Sequence, residues 1–444
     1  MAAPFDRQFL YRRPRNSERR PARRRSSGLS LSYFHSWQLE MAAQNVPLSV
    51  TRHLLESVRN TCSWLSMASS RPPRTGTTPP SSSPSLELLP GGKPPRTVTV
   101  PEEEAPASAM DRLDPITAIR EHGGTTDTSL LIRKTKFTLG SSESCDVVVA
   151  SSYVSSLHAL MDRRGQRIRV HDQDSRNGTF FAGRRETTFD IGPGDVFTVA
   201  TTPLLTLNED MRLQRPTIAQ IVGLDRNDAV DDVLIAAVRG GPLVLVGEAG
   251  MELTRLAQAI HVASPRCHQP LAPISALPPD LAGQRRLVAQ AQRGTLVLEV
   301  ADQPADEGFL SMALSASPSP RLLVIGPKLE AIFGRAGLAT ASRFGPIELR
   351  PLRDRKGDLP ALLDRLFIDE LASLRLTDLS QGNQDALLRY DWPGNLKELR
   401  EAAARIAALV RHRNVSHAAT ALGISRTSLR DWIHRRGLTM PIVG

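Results

Sequence analysis

Residues 411–438 read RHRNVSHAATALGISRTSLRDWIHRRGL, and two short helical patterns flank a glycine in this stretch. Apolar residues of the first pattern recur at three- and four-residue spacing, which predicts one buried helix face. They are Val415, Ala418, Ala419 and Leu422. Gly423 can adopt the positive φ that ends a helix. Ser425 is a good N-cap for a second helix because its hydroxyl can accept a free backbone N–H.

The second helix, expected over residues 426–436, turns Leu429 and Ile433 inward and leaves a basic outer face. A helix, a glycine turn and a basic helix make the helix-turn-helix plan, whose second helix enters the major groove of DNA. We expect base contacts from its first residues and phosphate contacts from the two arginines at its end. The predicted DNA-binding residues are Ser425, Arg426, Thr427, Ser428, Arg430, Arg435 and Arg436.

The segment AATALGISRTSLRDWIHRRGL resembles the Fis-type DNA-binding domain that closes many bacterial enhancer-binding proteins. The resemblance implies double-stranded DNA as a partner and a homodimer or higher oligomer on a two-fold site. The alternative is a basic helical hairpin that only packs on the rest of the chain. We assign residues 411–444 to this domain.

The charge of the chain is concentrated at its ends. Residues 1–30 carry a net charge of +7 and residues 411–438 carry +5, so the remaining residues sum to −2 of the total of +10. A basic end favours phosphate contacts. The cysteines Cys62, Cys145 and Cys267 fit neither a disulfide framework nor a metal-ligand pattern. With no apolar run of membrane-spanning length, we expect a cytoplasmic, nucleoid-associated protein.

Residues 1–110 are rich in arginine, serine and proline, with runs such as RPPRTGTTPPSSSPS. Such a composition buries too little apolar area to offset the entropy of ordering, so a disordered tail is expected. A short helix is expected within residues 46–67. The arginine run either binds nucleic acid or is simply solvated. A translation start at Met41, Met67 or Met110 instead of Met1 is a further alternative.

Residues 111–210 contain many short segments rich in valine, phenylalanine and threonine, separated by Gly165, Asn177-Gly178 and Pro193-Gly194. Closely spaced short strands predict a β-sandwich. The stretch TLGSSESCDVVVASSYVSSLHALMDRRGQRIRVHDQDSRNGTFFAG is similar to a forkhead-associated (FHA) domain.

The resemblance to FHA domains implies a loop surface that binds a phosphothreonine peptide. Arginine suits a dianionic phosphate because its planar fork matches the oxygens. Here the two family arginines are replaced by Ser141 and Ser156, and His158 is expected to support the loops. The predicted phosphopeptide-binding residues are Ser155, Ser156, Arg176 and Asn177. The alternative is a sandwich that has lost phosphate affinity and serves as a docking or dimer surface.

Residues 211–375 alternate apolar strand segments with helical segments, which predicts a parallel α/β sheet. A helical lid is expected over residues 376–410. The segment PLVLVGEAGMELTRLAQAIH, residues 242–261, resembles the phosphate-loop strand and helix of AAA+ activators of sigma-54 RNA polymerase, and ELRPLRDRKGDLPALL and DWPGNLKELREAAARIAAL agree with that family. The apolar residues of the last lid helix either form a dimer interface or pack against the rest of the lid. They are Leu396, Leu399, Ala403, Ile406 and Val410.

The phosphate loop has lost most of its chemical groups. Such a loop needs glycines for a tight cradle, a lysine on the β- and γ-phosphates and a hydroxyl on magnesium. Gly247, Gly250 and Thr254 remain, but Glu252 stands at the next glycine position and Leu253 at the lysine position.

Other family positions have changed as well. The positions of the family's paired acids hold Glu299 and Val300. Pro327 stands at the position of the sensor asparagine, and Lys397 stands at that of the lid arginine. The polymerase-contacting GAFTGA motif is absent, and only residues 276–295 fill its interval. Because hydrolysis depends on positioning and charge neutralisation, we expect no catalytic residues and no ATPase activity.

The predicted vestigial nucleotide-binding residues are Gly247, Gly250, Thr254 and Glu299, and weak ATP binding there stays open as an alternative. No other cofactor and no metal is expected. The favoured function is a transcriptional regulator that couples an FHA-type module to a helix-turn-helix through a degenerate AAA+ domain. The alternatives are a phosphopeptide-dependent signalling adaptor and, least favoured, an ATP-hydrolysing sigma-54 activator.

Overall fold

The computed structural model describes residues 114–124, 130–131, 134–301, 303–334, 337–371 and 373–443. The predicted disordered tail over residues 1–110 and the helix within residues 46–67 lie outside these ranges. Across the described ranges, no helix combines the length and the apolar character that crossing a membrane requires.

The first folded part is a sandwich of two β-sheets. One sheet has the strand order β2-β1-β11-β10-β7-β8, and the other has the order β4-β3-β5-β6-β9. The strands are β1 (Ala118–Glu121), β2 (Leu130–Leu131), β3 (Lys136–Gly140), β4 (Val147–Val148), β5 (Ala159–Arg164), β6 (Arg167–Asp172), β7 (Thr179–Phe181), β8 (Arg184–Arg185), β9 (Thr188–Ile191), β10 (Val196–Val199) and β11 (Thr202–Leu207).

The sandwich core follows from alternation along the strands. In β6, Ile168 and Val170 are fully buried while their neighbours are partly exposed. Side chains of a strand point alternately to opposite faces, so this period of two supplies one apolar face per sheet. Phe137, Met161 and Phe197 from other strands complete the same core. The β-sandwich prediction is confirmed, although the segments that form β1, β8, β9 and β11 were not among those expected to be strands.

The second folded part is a parallel sheet flanked by helices. Its strands are β12 (Leu243–Val246), β13 (Leu271–Ile274), β14 (Thr295–Glu299), β15 (Arg321–Gly326) and β16 (Gly345–Glu348), in the order β13-β14-β15-β12-β16. Its helices are α1 (Glu209–Val222), α2 (Asn227–Arg239), α3 (Leu253–Val262), α4 (Leu281–Gln290), α5 (Glu307–Ser315), α6 (Leu329–Phe333) and α7 (Leu338–Ala341). Every residue of the central strand β15 is buried, as expected for a sheet covered on both faces.

The last part of the chain is helical. It contains α8 (Leu359–Glu370), α9 (Gln381–Arg389), α10 (Asn395–His412), α11 (Val415–Ala421) and α12 (Arg426–Arg435). Leu396, Leu399, Ala403 and Ile406 of α10 are buried within the chain, and Val410 is partly buried. These residues therefore pack on the protein itself, which favours the lid-packing interpretation over a dimer seam.

The sandwich and the parallel-sheet body share a core and a buried charge cluster. Ala118, Leu205 and Leu207 of the sandwich belong to the same apolar cluster as the body helices. Asp231 of α2 forms ion pairs with Arg120 of β1 at 3.3 Å and with Arg215 of α1 at 3.0 Å. All three charged side chains are at most 5% exposed. The joint between the two parts is therefore packed rather than a free linker.

Candidate functional site

The turn before α12 has the predicted geometry. Gly423 has φ +66°, a left-handed conformation that costs glycine little. Ser425 is the N-cap, and its Oγ accepts a hydrogen bond from the Ser428 backbone N–H at 3.0 Å. Asn414 caps α11 in the same way, since its Oδ1 accepts from the Ser416 N–H at 2.8 Å. The local sequence therefore sets both the start and the separation of the two short helices.

The two faces of α12 differ sharply in polarity. Leu429, Trp432 and Ile433 are buried in the main apolar cluster. The opposite face is open to solvent and carries no acid in the first turn of the helix. The exposed predicted residues are Ser425, Arg426, Thr427, Ser428, Arg430 and Arg435. The structure thus brings these six residues onto one accessible surface.

Arg436 does not share this surface, contrary to expectation. Its guanidinium pairs with the Glu398 carboxylate of α10, and it lies 5.1 Å from the Tyr390 ring centroid and 4.7 Å from that of Trp432. Its side chain is 9% exposed. An arginine held between two rings and an acid packs the helix end instead of facing a phosphate. The contacts with Tyr390 and Glu398 could not be predicted, because both residues come from segments that are distant from Arg436 along the chain.

The helix-turn-helix is fastened directly to the lid. Helix α10 runs to His412, and only Arg413 and Asn414 separate it from α11. On the other side, the buried Asn383 of α9 donates from Nδ2 to the carbonyls of Thr439 and Ile442, each at 3.0 Å. Both ends of the helix-turn-helix are thereby held, so α12 has a fixed orientation relative to the lid.

The sandwich loops meet where the sequence predicted a peptide site. Ser155 Oγ accepts from the Arg176 backbone N–H at 3.2 Å, and Asn177 Nδ2 donates to the Tyr153 carbonyl at 2.7 Å. His158 is fully buried and accepts from the Ser155 N–H through Nδ1 at 3.2 Å. Burial lowers the pKa of His158. Its expected role in supporting the loops is consistent with these contacts.

A second network supports the same loops and was not anticipated. The Asp172 carboxylate accepts hydrogen bonds from the hydroxyls of Ser175 and Thr179, both at 2.6 Å. Ser156 and the Arg176 side chain take no part in this network and are exposed at the loop surface. The polar run DQDSRNGT, residues 172–179, could have indicated this network, because a short polar run after a strand commonly makes side-chain-to-backbone turns.

The loop between β12 and α3 contains two residues with a left-handed backbone. Gly250 has φ +79° and Glu252, at the family's glycine position, has φ +58°. A left-handed backbone costs a residue with a side chain about 1–2 kcal/mol, so another interaction must stabilise it. The Glu252 carboxylate pairs with Arg255 at 2.9 Å and with Arg400 of α10 at 3.0 Å.

The lid packs against this loop. The Lys397 N–H donates to the Gly250 carbonyl at 3.0 Å, and Asn395 Nδ2 donates to the Ala249 carbonyl at 3.1 Å. A Cβ at Gly250 would lie 2.1 Å from the Gly394 carbonyl oxygen, so only glycine fits there. Leu253 is buried in the main core.

A small cavity lies beside the Glu252–Arg400 ion pair. The cavity lined by Glu252, Arg400 and the leucines Leu362, Leu366 and Leu396 measures about 10 Å³. This volume accommodates at most about one water molecule. Glu299 is exposed at the end of β14, and β15 lies between β14 and β12. Within the described ranges, no three metal-binding side chains cluster.

Comparisons with known proteins agree with this architecture. The FHA domain family matches residues 137–200, and the AAA+ ATPase lid domain family matches residues 353–423. The chain is 28% identical over 234 residues to the DNA-binding transcriptional regulator NtrC of Azospirillum brasilense, covering 43% of this chain and 48% of that protein.

Two further similarities cover comparable parts of the chain. The hydrogenase transcriptional regulatory protein HoxA of Cupriavidus necator is 30% identical over 224 residues, covering 41% of this chain and 46% of that protein. The solved structure of NtrX from Brucella abortus in complex with ADP is 18% identical, covers 48% of this chain and 67% of that chain, and gives a TM-score of 0.34. The chain spans about half the length of the curated relatives it matches. It thus carries an FHA domain and an AAA+ lid domain, and it is similar to sigma-54-dependent transcriptional regulators.

Proposed function

We propose that the chain is a DNA-binding transcriptional regulator whose α12 reads the major groove. The proposal is supported by the N-terminal half of α12, in which Arg426 and Arg430 are exposed to solvent while the helix is anchored by the buried Leu429. Arginine is the side chain most suited to guanine edges, and residues at the start of a recognition helix reach deepest.

Each residue of the surface has a distinct role in this proposal. Arg426, Thr427, Ser428 and Arg430 contact base edges, and Ser425 keeps the helix start in place while lining the interface. Arg435 contacts a DNA phosphate, which fixes the position of the protein along the duplex but carries no sequence information. Arg436 is left out because Glu398 already neutralises it. A dimer or higher oligomer on a two-fold site, and a cytoplasmic, nucleoid-associated location, complete the proposal.

The FHA domain is the sensory part of the proposed regulator. Ser155, Ser156, Arg176 and Asn177 would receive a phosphothreonine of a protein partner. Arg176 offers the exposed guanidinium at these loops, and arginine suits a phosphate through its fork of donors. Calorimetry against a phosphothreonine peptide library tests this role, with Arg176→Ala expected to abolish binding. If no peptide binds the wild-type chain, the domain is a docking surface instead.

The AAA+-like body is proposed to be catalytically inactive. Leu253 removes the cation that phosphoryl transfer needs, and Glu252 places an anion where the phosphates would lie. We expect no ATP turnover above background from the purified chain. Turnover that disappears on Thr254→Ala would revive the least favoured function, an ATP-hydrolysing activator.

Genome-wide mapping of bound DNA tests the regulator proposal. The full chain carrying Arg426→Ala and Arg430→Ala should lose the mapped sites, while the equally charge-altered control with Arg285→Ala and Arg286→Ala should keep them. Point variants are preferable to deletion of residues 411–444, since that segment packs on the lid. Sites that persist without Arg426 and Arg430 would contradict these residue assignments. A wild-type chain that maps to no DNA sites would favour the second candidate, a signalling adaptor, which the assembled FHA loops support.

A further inference from the structure

The contacts around Glu252 connect two parts of the protein that a bound nucleotide usually joins. Glu252 is the N-cap of α3 and directly follows the phosphate loop. The two carboxylate oxygens of Glu252 lie 3.0 and 3.2 Å from Nε and Nη2 of Arg400 in α10. The Glu252 side chain is 15% exposed and that of Arg400 is 39% exposed. This is a two-point, partly buried ion pair across the loop–lid boundary, a geometry stronger than a single contact.

The charge of Glu252 persists despite its burial. Burial alone would raise the pKa of this carboxyl, but the hydrogen bonds and positive charges of Arg400 and Arg255 outweigh it and hold the pKa below its usual range. The left-handed backbone at Glu252 has a cost that these pairs must offset. Strain retained at one residue, with its side chain aimed at the opposite segment, indicates a specific role.

We infer that Glu252 is a built-in substitute for a nucleotide phosphate, and that its carboxylate holds the lid closed on the phosphate loop permanently. The neighbouring contacts fit this role. The backbone N–H of Lys397 and the side-chain amide of Asn395, both in the lid, donate hydrogen bonds to the carbonyls of Gly250 and Ala249, respectively. The inference rests on the proposed loss of ATP hydrolysis and is independent of DNA binding.

A closed lid also determines how α12 is presented. Glu398 lies in α10 between the loop-contacting residues Lys397 and Arg400, and its carboxylate pairs with Arg436 at the end of α12. The same carboxylate accepts from the Gly394 N–H at 2.8 Å. A continuous set of contacts therefore runs from the phosphate loop to the recognition helix. The recognition helix keeps one orientation with no need for ATP.

Hydrogen exchange of the full chain tests the inference through Glu252→Gln, Arg400→Gln and the double variant. Each single variant should speed exchange of residues 394–400 by about tenfold, and the double variant should be no faster than the singles, because both remove one interaction. Arg255→Gln is the matched control. Like Arg400→Gln, it removes a positively charged partner of the Glu252 carboxylate, but Arg255 lies in α3, three residues after Glu252, and its ion pair does not join the loop to the lid. Exchange in the lid should therefore change by less than about twofold.

Several outcomes would overturn the inference. These are unchanged lid exchange in Glu252→Gln, additive effects in the double variant, or an Arg255→Gln effect equal to that of Arg400→Gln. Slower exchange of the wild-type loop in millimolar Mg-ATP would also overturn it, because the site would then accept a nucleotide. ATP turnover measured separately reports on the proposed function alone.

Discussion

His261 shows how one buried side chain imposes a pH limit on the body. It is 1% exposed, and its Nδ1 lies 2.9 Å from the Thr295 hydroxyl. Burial, followed by the positive charges of Arg321 and Arg266, lowers the pKa of His261 from 6.5 to about 4. Between pH 6.5 and about 4, His261 therefore takes up a proton in the unfolded chain but not in the folded chain.

The free energy of unfolding should fall as the pH drops from 6.5 towards 4, and it should be unaffected by His261 above that range. The pKa difference corresponds to about 3 kcal/mol. Urea denaturation near pH ~7.5 and pH ~4.5 checks this, with His261→Asn expected to lose less stability on acidification than wild type. The exposed His417→Asn variant is the control. Equal pH dependence in wild type and His261→Asn would contradict the prediction.

At the scale of single elements, α12 depends on its cap because it is only ten residues long. Short helices are marginal alone and take their stability from packing and capping. The apolar face of α12 is fixed by Leu429, Trp432 and Ile433, while Ser425 fixes its start. A frayed start would loosen the residues proposed to enter the groove.

Ser425→Ala should destabilise the first turn of α12 by about 1 kcal/mol, the usual effect of losing an N-cap. Amide exchange in residues 426–430 should then speed up by about fivefold. Thr420→Ala is the matched control, since the Thr420 hydroxyl only donates to a carbonyl within α11. Unchanged exchange in Ser425→Ala would show that packing alone holds the turn.

At the scale of the whole molecule, the buried cluster around Asp231 joins the sandwich to the body. The Asp231 carboxylate neutralises two buried arginines and accepts the Gly123 N–H at 2.9 Å. Removing one partner of a buried ion cluster leaves an uncompensated charge, which costs far more than loss of a surface pair.

Asp231→Asn should destabilise the protein by about 3–5 kcal/mol. The neighbouring Asp232→Asn should cost less than about 1 kcal/mol, because the Asp232 side chain is 69% exposed and its contact with His122 lies at the surface. Thermal and urea denaturation of both variants provide the comparison. Similar losses for the two variants would mean that the cluster does not hold the joint.

Local sequence carried most of the information on the fold. Gly423 and Ser425 marked the turn and the cap correctly because both act within a few residues. The Arg436–Glu398 and Glu252–Arg400 pairs were not predictable, since each joins segments that only the folded chain brings together. Strand β11 was missed because Pro203 in TPLLTL is unusual in a paired strand.

Fluorescence anisotropy with a duplex taken from the mapped sites measures whether α12 binds DNA in the absence of nucleotide. We expect Arg426→Ala combined with Arg430→Ala to weaken specific binding by at least about tenfold. The Arg285→Ala, Arg286→Ala control should bind like wild type, and Mg-ATP should change neither affinity. Undiminished binding by the Arg426, Arg430 variant, or binding that appears only with ATP, would show that α12 is not a nucleotide-independent recognition helix.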